Sequence, residues 1–147
     1  MEKTEKYRLL ERQVAALVEG ETATIAKMAN LAAALHETFG FWWTGFYRVA
    51  WEELLLGPFQ GPVACMHIPY GKGVCGTAWK RNETVVVPDV EEFPGHIACS
   101  SASKSEIVVP VHGAGGEVVA VLDIDSDRLA TFDDEDRVWL ERIVTLL

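Results

Sequence analysis

The chain has 147 residues, 49% hydrophobic and 24% charged, with 22 acidic against 13 basic residues for a net charge of −9. Such a chain buries a core of its own without a metal or disulfide staple; its composition excludes disorder, and its charge opposes nucleic acid and anionic membrane. No apolar run approaches the ~20 residues that span a bilayer, and the charged start Met1–Lys6 leads into no signal-like stretch, so a cytoplasmic protein is expected.

Two helices are expected first. Tyr7, Leu10, Val14 and Leu17 recur at helical spacing before Gly20, and Ile25, Met28, Ala32, Leu35 and Phe39 repeat the pattern before Gly40. Both read as amphipathic helices packed on a core or a partner subunit, without chemistry. From Phe41 the texture turns to strand. Strands are expected over Phe41–Val49, over Glu52–Leu56 with a stop at Gly57-Pro58, and over Val63–Ile68 before the turn Pro69-Tyr70-Gly71-Lys72-Gly73. A short helix over Gly76–Arg81 and a strand over Thr84–Val87 follow. Asp89–Ser105 has Pro94, Gly95 and several serines but no periodicity, and reads as a loop. Two further strands, Glu106–Val111 and Val118–Ile124, flank a glycine-rich hairpin, His112 to Gly116. The last element is a helix with Asp133 to Asp136 at its amino end, where the dipole favours acids, and an apolar stripe of Trp139, Ile143 and Leu146. The expectation is one α+β domain over 1–147: helices in 1–39, a mainly antiparallel sheet of about six strands with an active-site loop in 40–132, and a carboxy-terminal helix in 133–147. A long loop inside a compact domain is usually functional, and this one carries Cys99.

Three groups of residues offer chemistry. Asp123 and Asp125 alternate on one side of their strand with Val119 and Val121, about 7 Å apart, and Glu106 opens the neighbouring strand. Taken alone, two acids at a strand end merely solvate a turn. Three on one rim repel, so at least one is expected to stay protonated near neutral pH as a candidate proton donor, beside an anionic pocket for a cationic group. Trp43, Gly45 and Tyr47 share a strand face, and the gap over Gly45 reads equally as a slot for a small ligand or as aromatic core packing. Cys65, Cys75 and Cys99 are an odd number, against a structural disulfide framework in a reducing compartment. Each alone reads as buried and inert. A zinc site joining His67 and His96 lacks the Cys-x-x-Cys spacing of structural sites. A thiol–disulfide pair, with a nucleophile on the loop and a partner on the sheet, fits better.

Several blocks together resemble one family. Gly40-Phe41-Trp42-Trp43-Thr44-Gly45-Phe46-Tyr47, Leu56-Gly57-Pro58-Phe59-Gln60-Gly61, Gly73-Val74-Cys75-Gly76-Thr77-Ala78, Val87-Pro88-Asp89-Val90, Phe93-Pro94-Gly95-His96-Ile97-Ala98-Cys99, Ser105-Glu106-Ile107-Val108-Val109-Pro110 and Val121-Leu122-Asp123-Ile124-Asp125-Ser126 are similar, in this order, to the free methionine-(R)-sulfoxide reductases. These are small GAF-domain enzymes. The resemblance spans about Gly40 to Phe132. It implies a homodimeric GAF domain that reduces free methionine (R)-sulfoxide without a cofactor or metal, regenerated by thioredoxin or a similar dithiol. It implies Cys99 as the attacking cysteine, Cys65 and Cys75 as recycling cysteines with Cys65 the main resolver, and a pocket of Trp43, Tyr47, Glu106, Asp123 and Asp125. One position departs from the pattern: Ser100 follows the nucleophile where an acid is common, which eases thiolate formation.

The chemistry of a sulfoxide agrees with that set. Its sulfur is a poor electrophile until its oxygen is protonated, so a thiolate must meet sulfur while an acid, Glu106 or Asp125, meets oxygen. His96 or Lys104 is expected to offset the carboxylates that oppose the Cys99 thiolate. A non-catalytic GAF sensor of small molecules is the rival expectation. It explains fold and slot but not the placement of three cysteines.

Overall fold

A computed structural model describes residues 1–97 and 102–147; the proposed nucleophile, Cys99, and its neighbour Ser100 lie outside these described residues. Two helices, α1 (Lys3–Val18) and α2 (Thr24–Phe39), precede the sheet. The expected stop at Gly40 is met: it caps α2 at φ +67°, and its N–H donates to the His36 carbonyl at 2.8 Å. The strands are β1 (Trp43–Ala50), β2 (Glu53–Gln60), β3 (His67–Pro69), β4 (Val85–Val87), β5 (Ser105–His112) and β6 (Val118–Ser126), with α3 (Gly73–Arg81) between β3 and β4 and α4 (Asp134–Ile143) at the end. All pairings are antiparallel in the order β3-β2-β1-β6-β5-β4. This is the expected α+β architecture, with six strands.

The sheet has two buried faces. Phe46, Ile107, Val109, Leu122 and Ile124 face α1, α2 and α4 through Leu10, Leu31, Leu35 and Leu140. On the opposite face Tyr47, Val108 and Val121 pack with Val74 and Ala78 of α3. The single-residue alternation of β5 and β6 thus feeds two cores at once. Among the described residues no helix is long and apolar enough to cross a membrane.

Four expectations are corrected. First, β2 does not stop at Gly57-Pro58. Its register with β1 shifts there, from Tyr47 opposite Leu56 to Gly45 opposite Phe59, so Gly57 and Pro58 together oppose Phe46 in a bulge. A bulge tolerates the missing N–H of proline. Second, the expected strand Val63–Ile68 shrinks to the edge strand β3, and Cys65 lies in the segment before it. There Trp43 Nε1 donates to the Pro62 carbonyl at 3.0 Å and Tyr47 Oη to that of Cys65 at 2.9 Å, in place of a strand ladder. Third, α3 starts at Gly73, so Cys75 occupies its first turn rather than a loop. Fourth, the expected loop Asp89–Ser105 contains a short 3-10 turn, Val90–Glu92, capped by the Asp89 carboxylate.

Candidate active site

The strand register builds the site. Trp43 on β1 pairs with Asp125 on β6, and Gly45 with Asp123. On the other side Glu106 of β5 pairs with Asp125, and Val108 with Asp123. Paired residues project to the same face, so Trp43, Asp123, Asp125 and Glu106 converge on one cavity, as the alternation predicts. Tyr47 joins them one pair further along. Cys75 enters from α3, and the remaining walls include Ala64, Ile68 and Ile97.

The cavity is strongly acidic inside. Glu106 and Asp123 are 5% and 6% exposed. Burial and the adjacent Asp123 and Asp125 push the Glu106 carboxyl well above its usual range. Asp125 is likewise held well up by burial and by Asp123, although Glu106 and Ser103 hydrogen-bond to it. Asp123 is raised by burial but opposed by hydrogen bonds from Glu106 and Cys75, which favour its charged form. A cluster Asp125–Glu106–Asp123–Cys75 results, in which Glu106 and Asp125 are both pushed well above the carboxylate range. The sequence led to an expectation of at least one protonated acid among three, and the register gives a reason: Glu106 and Asp125 are cross-strand neighbours. Asp123 Oδ1 is buried and has no hydrogen-bond partner among the described residues.

The thiols differ. Cys75 is a buried free thiol, 3% exposed. Burial first, then Asp123, Glu106 and Asp125, push it well above the usual thiol range. Cys65 is half-buried and disulfide-bonded. The proposed role of Cys99 falls outside the described residues.

Of the two readings over Gly45, aromatic packing is the one realised. A Cβ there would lie 2.4 Å from Phe59 Cβ and 2.6 Å from the Trp43 ring, so Trp43 itself fills the gap. Its ring stacks on Phe59 at 5.2 Å and on Tyr47 at 5.8 Å, forming an aromatic wall. Glycine is required there for close packing. Beside Cys75, Gly76 allows a close approach: a Cβ there would stand 2.7 Å from the Pro69 carbonyl.

The expected electrostatic helpers separate. His96 lies in the cavity with Nε2 3.8 Å from Glu106 Oε1, but burial lowers its pKa against the pull of Asp123, so it brings no full positive charge at neutral pH. Lys104 is exposed outside the cavity. His67 is 59% exposed and bonded to Glu53 at 2.7 Å, away from the zinc set imagined for it. Val119, expected on the buried face with Val121, is exposed. Ser103, which donates to Asp125 Oδ1 at 3.3 Å, was not singled out, because a serine in a serine-rich stretch has no periodicity to mark it.

Chemically, the cavity combines an acid pushed toward its protonated form, a buried carboxylate oxygen without a partner among the described residues and a flat aromatic wall. Among the described residues, Cys75, Glu106 and Asp123 place one ligand atom each within 4.8 Å of one another. Burial pushes the Cys75 thiol and the Glu106 carboxyl well up, which disfavours a cation that needs deprotonated ligands.

Comparison with known proteins places this geometry. A family model described as GAF domain matches residues 21–147. The chain is similar to GAF domain-containing protein A of Dictyostelium discoideum, 55% identical over 99% of this chain and 92% of that one. It is also similar to the free methionine-R-sulfoxide reductase of Escherichia coli, 47% identical over 100% of this chain and 89% of that one. Among solved structures, the free methionine-R-sulfoxide reductase of Neisseria meningitidis in complex with its substrate superposes with a TM-score of 0.96 at 49% identity, covering 99% of this chain and 88% of that one.

Proposed function

The chain belongs to the GAF-domain free methionine-R-sulfoxide reductases, and from that premise we propose that it reduces free L-methionine (R)-S-oxide to L-methionine with Cys99 as nucleophile. The observation that carries this reading is the cavity in which an acid held in its protonated form, Glu106, stands beside Asp123 with its unpartnered buried oxygen. A free amino acid supplies the missing partner, its ammonium group. Trp43 and Tyr47 enclose the methyl-thio end.

The Cys99 thiolate attacks the sulfoxide sulfur while Glu106 delivers a proton to the oxygen. Oxygen ends on Cys99 as a sulfenic acid, and the substrate leaves as the thioether: cysteine is oxidised by two electrons and the sulfoxide reduced by two. The Cys65 thiol then displaces water from the sulfenic sulfur, giving a disulfide, which a thioredoxin-type dithiol reduces. The disulfide-bonded state of Cys65 beside the free thiol of Cys75 supports Cys65 as resolver. Because Glu106 and Asp125 hold protons, the pocket opposes a thiolate less than three ionised carboxylates would. A homodimer in the cytoplasm, without metal or cofactor, completes the proposal.

The test is steady-state methionine formation with dithiothreitol as reductant. The wild-type chain is expected to turn over the R epimer and not the S, and Cys99→Ser to be inactive. Wild-type inactivity on both epimers favours a non-catalytic sensor, and full activity in Cys99→Ser removes Cys99 as nucleophile.

A further inference from the structure

The reaction proposed above uses two of the three cysteines and leaves Cys75 without a task beyond the recycling role that family resemblance implies. Its surroundings are unlike those of a redox thiol. Cys75 sits in the first turn of α3, pinned by the close approach of Gly76 to the Pro69 carbonyl. Its sulfur lies within 4.8 Å of a ligand oxygen of Glu106 and of Asp123, so the S–H is within reach of the Asp123 carboxylate. A thiol buried among acids stays S–H, which makes it a donor and a poor nucleophile.

The Asp123 carboxylate is therefore approached closely on one side and unpartnered on the other. Cys75 Sγ and a Glu106 oxygen lie within 4.8 Å of one of its oxygens, while Oδ1 is buried and unpartnered among the described residues. We propose that Cys75 is a positioning residue, whose S–H donates to Asp123 and so turns the free Asp123 oxygen toward the ammonium group of the substrate. Without that donor, the carboxylate has one anchor fewer and shares the Glu106 proton more fully. Affinity for the substrate cation falls. The chemical step at sulfur, which uses other atoms, is spared.

This inference rests on the reductase reading, and the experiment separates the two. KM and kcat for free methionine (R)-sulfoxide are measured with dithiothreitol for wild type, Cys75→Ala, Cys75→Val and Cys75→Ser. Alanine and valine lack the donor and are expected to raise KM about 10-fold with kcat within about 3-fold, the lower end of what a hydrogen bond to a charged group sustains. Serine restores a donor and is expected to bring KM back to within about 3-fold of wild type. The valine variant fills the site and carries the test if alanine does not fold. Serine and alanine behaving alike, whether both normal or both impaired, overturns the inference: the first outcome leaves the thiol idle, the second demands sulfur itself. A wild-type chain that makes no methionine overturns the reductase reading and this inference with it.

Discussion

Glu106 carries the largest burden of any described side chain. It is buried, flanked across the sheet by Asp125 and Val87, and hydrogen-bonded within the acid cluster. Glu106→Gln keeps the shape and removes the proton donor, so kcat is expected to fall about 10²–10⁴-fold, the usual worth of general acid help, while KM changes less. Steady-state kinetics at neutral pH check it. The same substitution has a stability signature of defined sign. A carboxyl raised on folding keeps its proton in the native state at pH values where the unfolded chain has lost it. Its contribution is full below the unfolded carboxylate range near pH 4 and is lost as pH rises toward the native value. Glu106→Gln is therefore expected to melt higher than wild type at pH 8, with the gap closing toward about pH 4. A gap independent of pH contradicts the protonation assigned to Glu106. The site is in this sense built at the expense of the fold, as strained functional groups often are.

Each element around the site has a local reason that can be broken separately. Helix α3 brings Cys75 to the acids because Gly76 lets its first turn touch Pro69. Helix propensity alone favours Ala over Gly by about 1 kcal/mol. Gly76→Ala is nevertheless expected to destabilise, by about 1–3 kcal/mol, since its Cβ would meet backbone at 2.7 Å. Helix α4 is independent of the chemistry. Asp133 caps it through the N–H groups of Glu135 and Asp136, with Asp136 bonding back to the Asp133 N–H at 2.9 Å. Asp133→Ala is expected to cost about 1 kcal/mol in a melt and leave kcat/KM unchanged, because α4 packs on the opposite face of the sheet. The elements legible in advance were those with strong periodicity or punctuation: the two amino-terminal helices, β5 and β6, and the acid-capped α4. The pairing of Asp123 with Asp125 followed from alternation. Less legible were features set by contacts distant in sequence. The bulge that carries Pro58 needs β1 as partner, the segment holding Cys65 is shaped by the Trp43 and Tyr47 side chains, and the space over Gly45 is closed by Phe59 of the neighbouring strand together with the Trp43 ring. None of these leaves a mark in local composition.

At the scale of the whole molecule, one sheet separates structure from chemistry. Three helices and their core cover one face, while α3 and the acid cavity occupy the other. An acid cavity of this kind selects for a free amino group. Offered an N-acylated methionine sulfoxide, it leaves Asp123 buried and unpaired, which costs about 1–3 kcal/mol. The chain is thus expected to use N-acetyl-methionine-(R)-sulfoxide with kcat/KM at least about 10-fold below that of the free amino acid, measured side by side with dithiothreitol. Equal values contradict the role given to Asp123. The most direct measurement is a single turnover without reductant. The fully reduced chain is mixed with free methionine (R)-sulfoxide and quenched, and both methionine and protein mass are quantified. The account predicts one methionine per chain, the loss of two hydrogens from the protein, and a peptide map that joins Cys99 to Cys65. No methionine, or methionine formed without any change at Cys99, contradicts it.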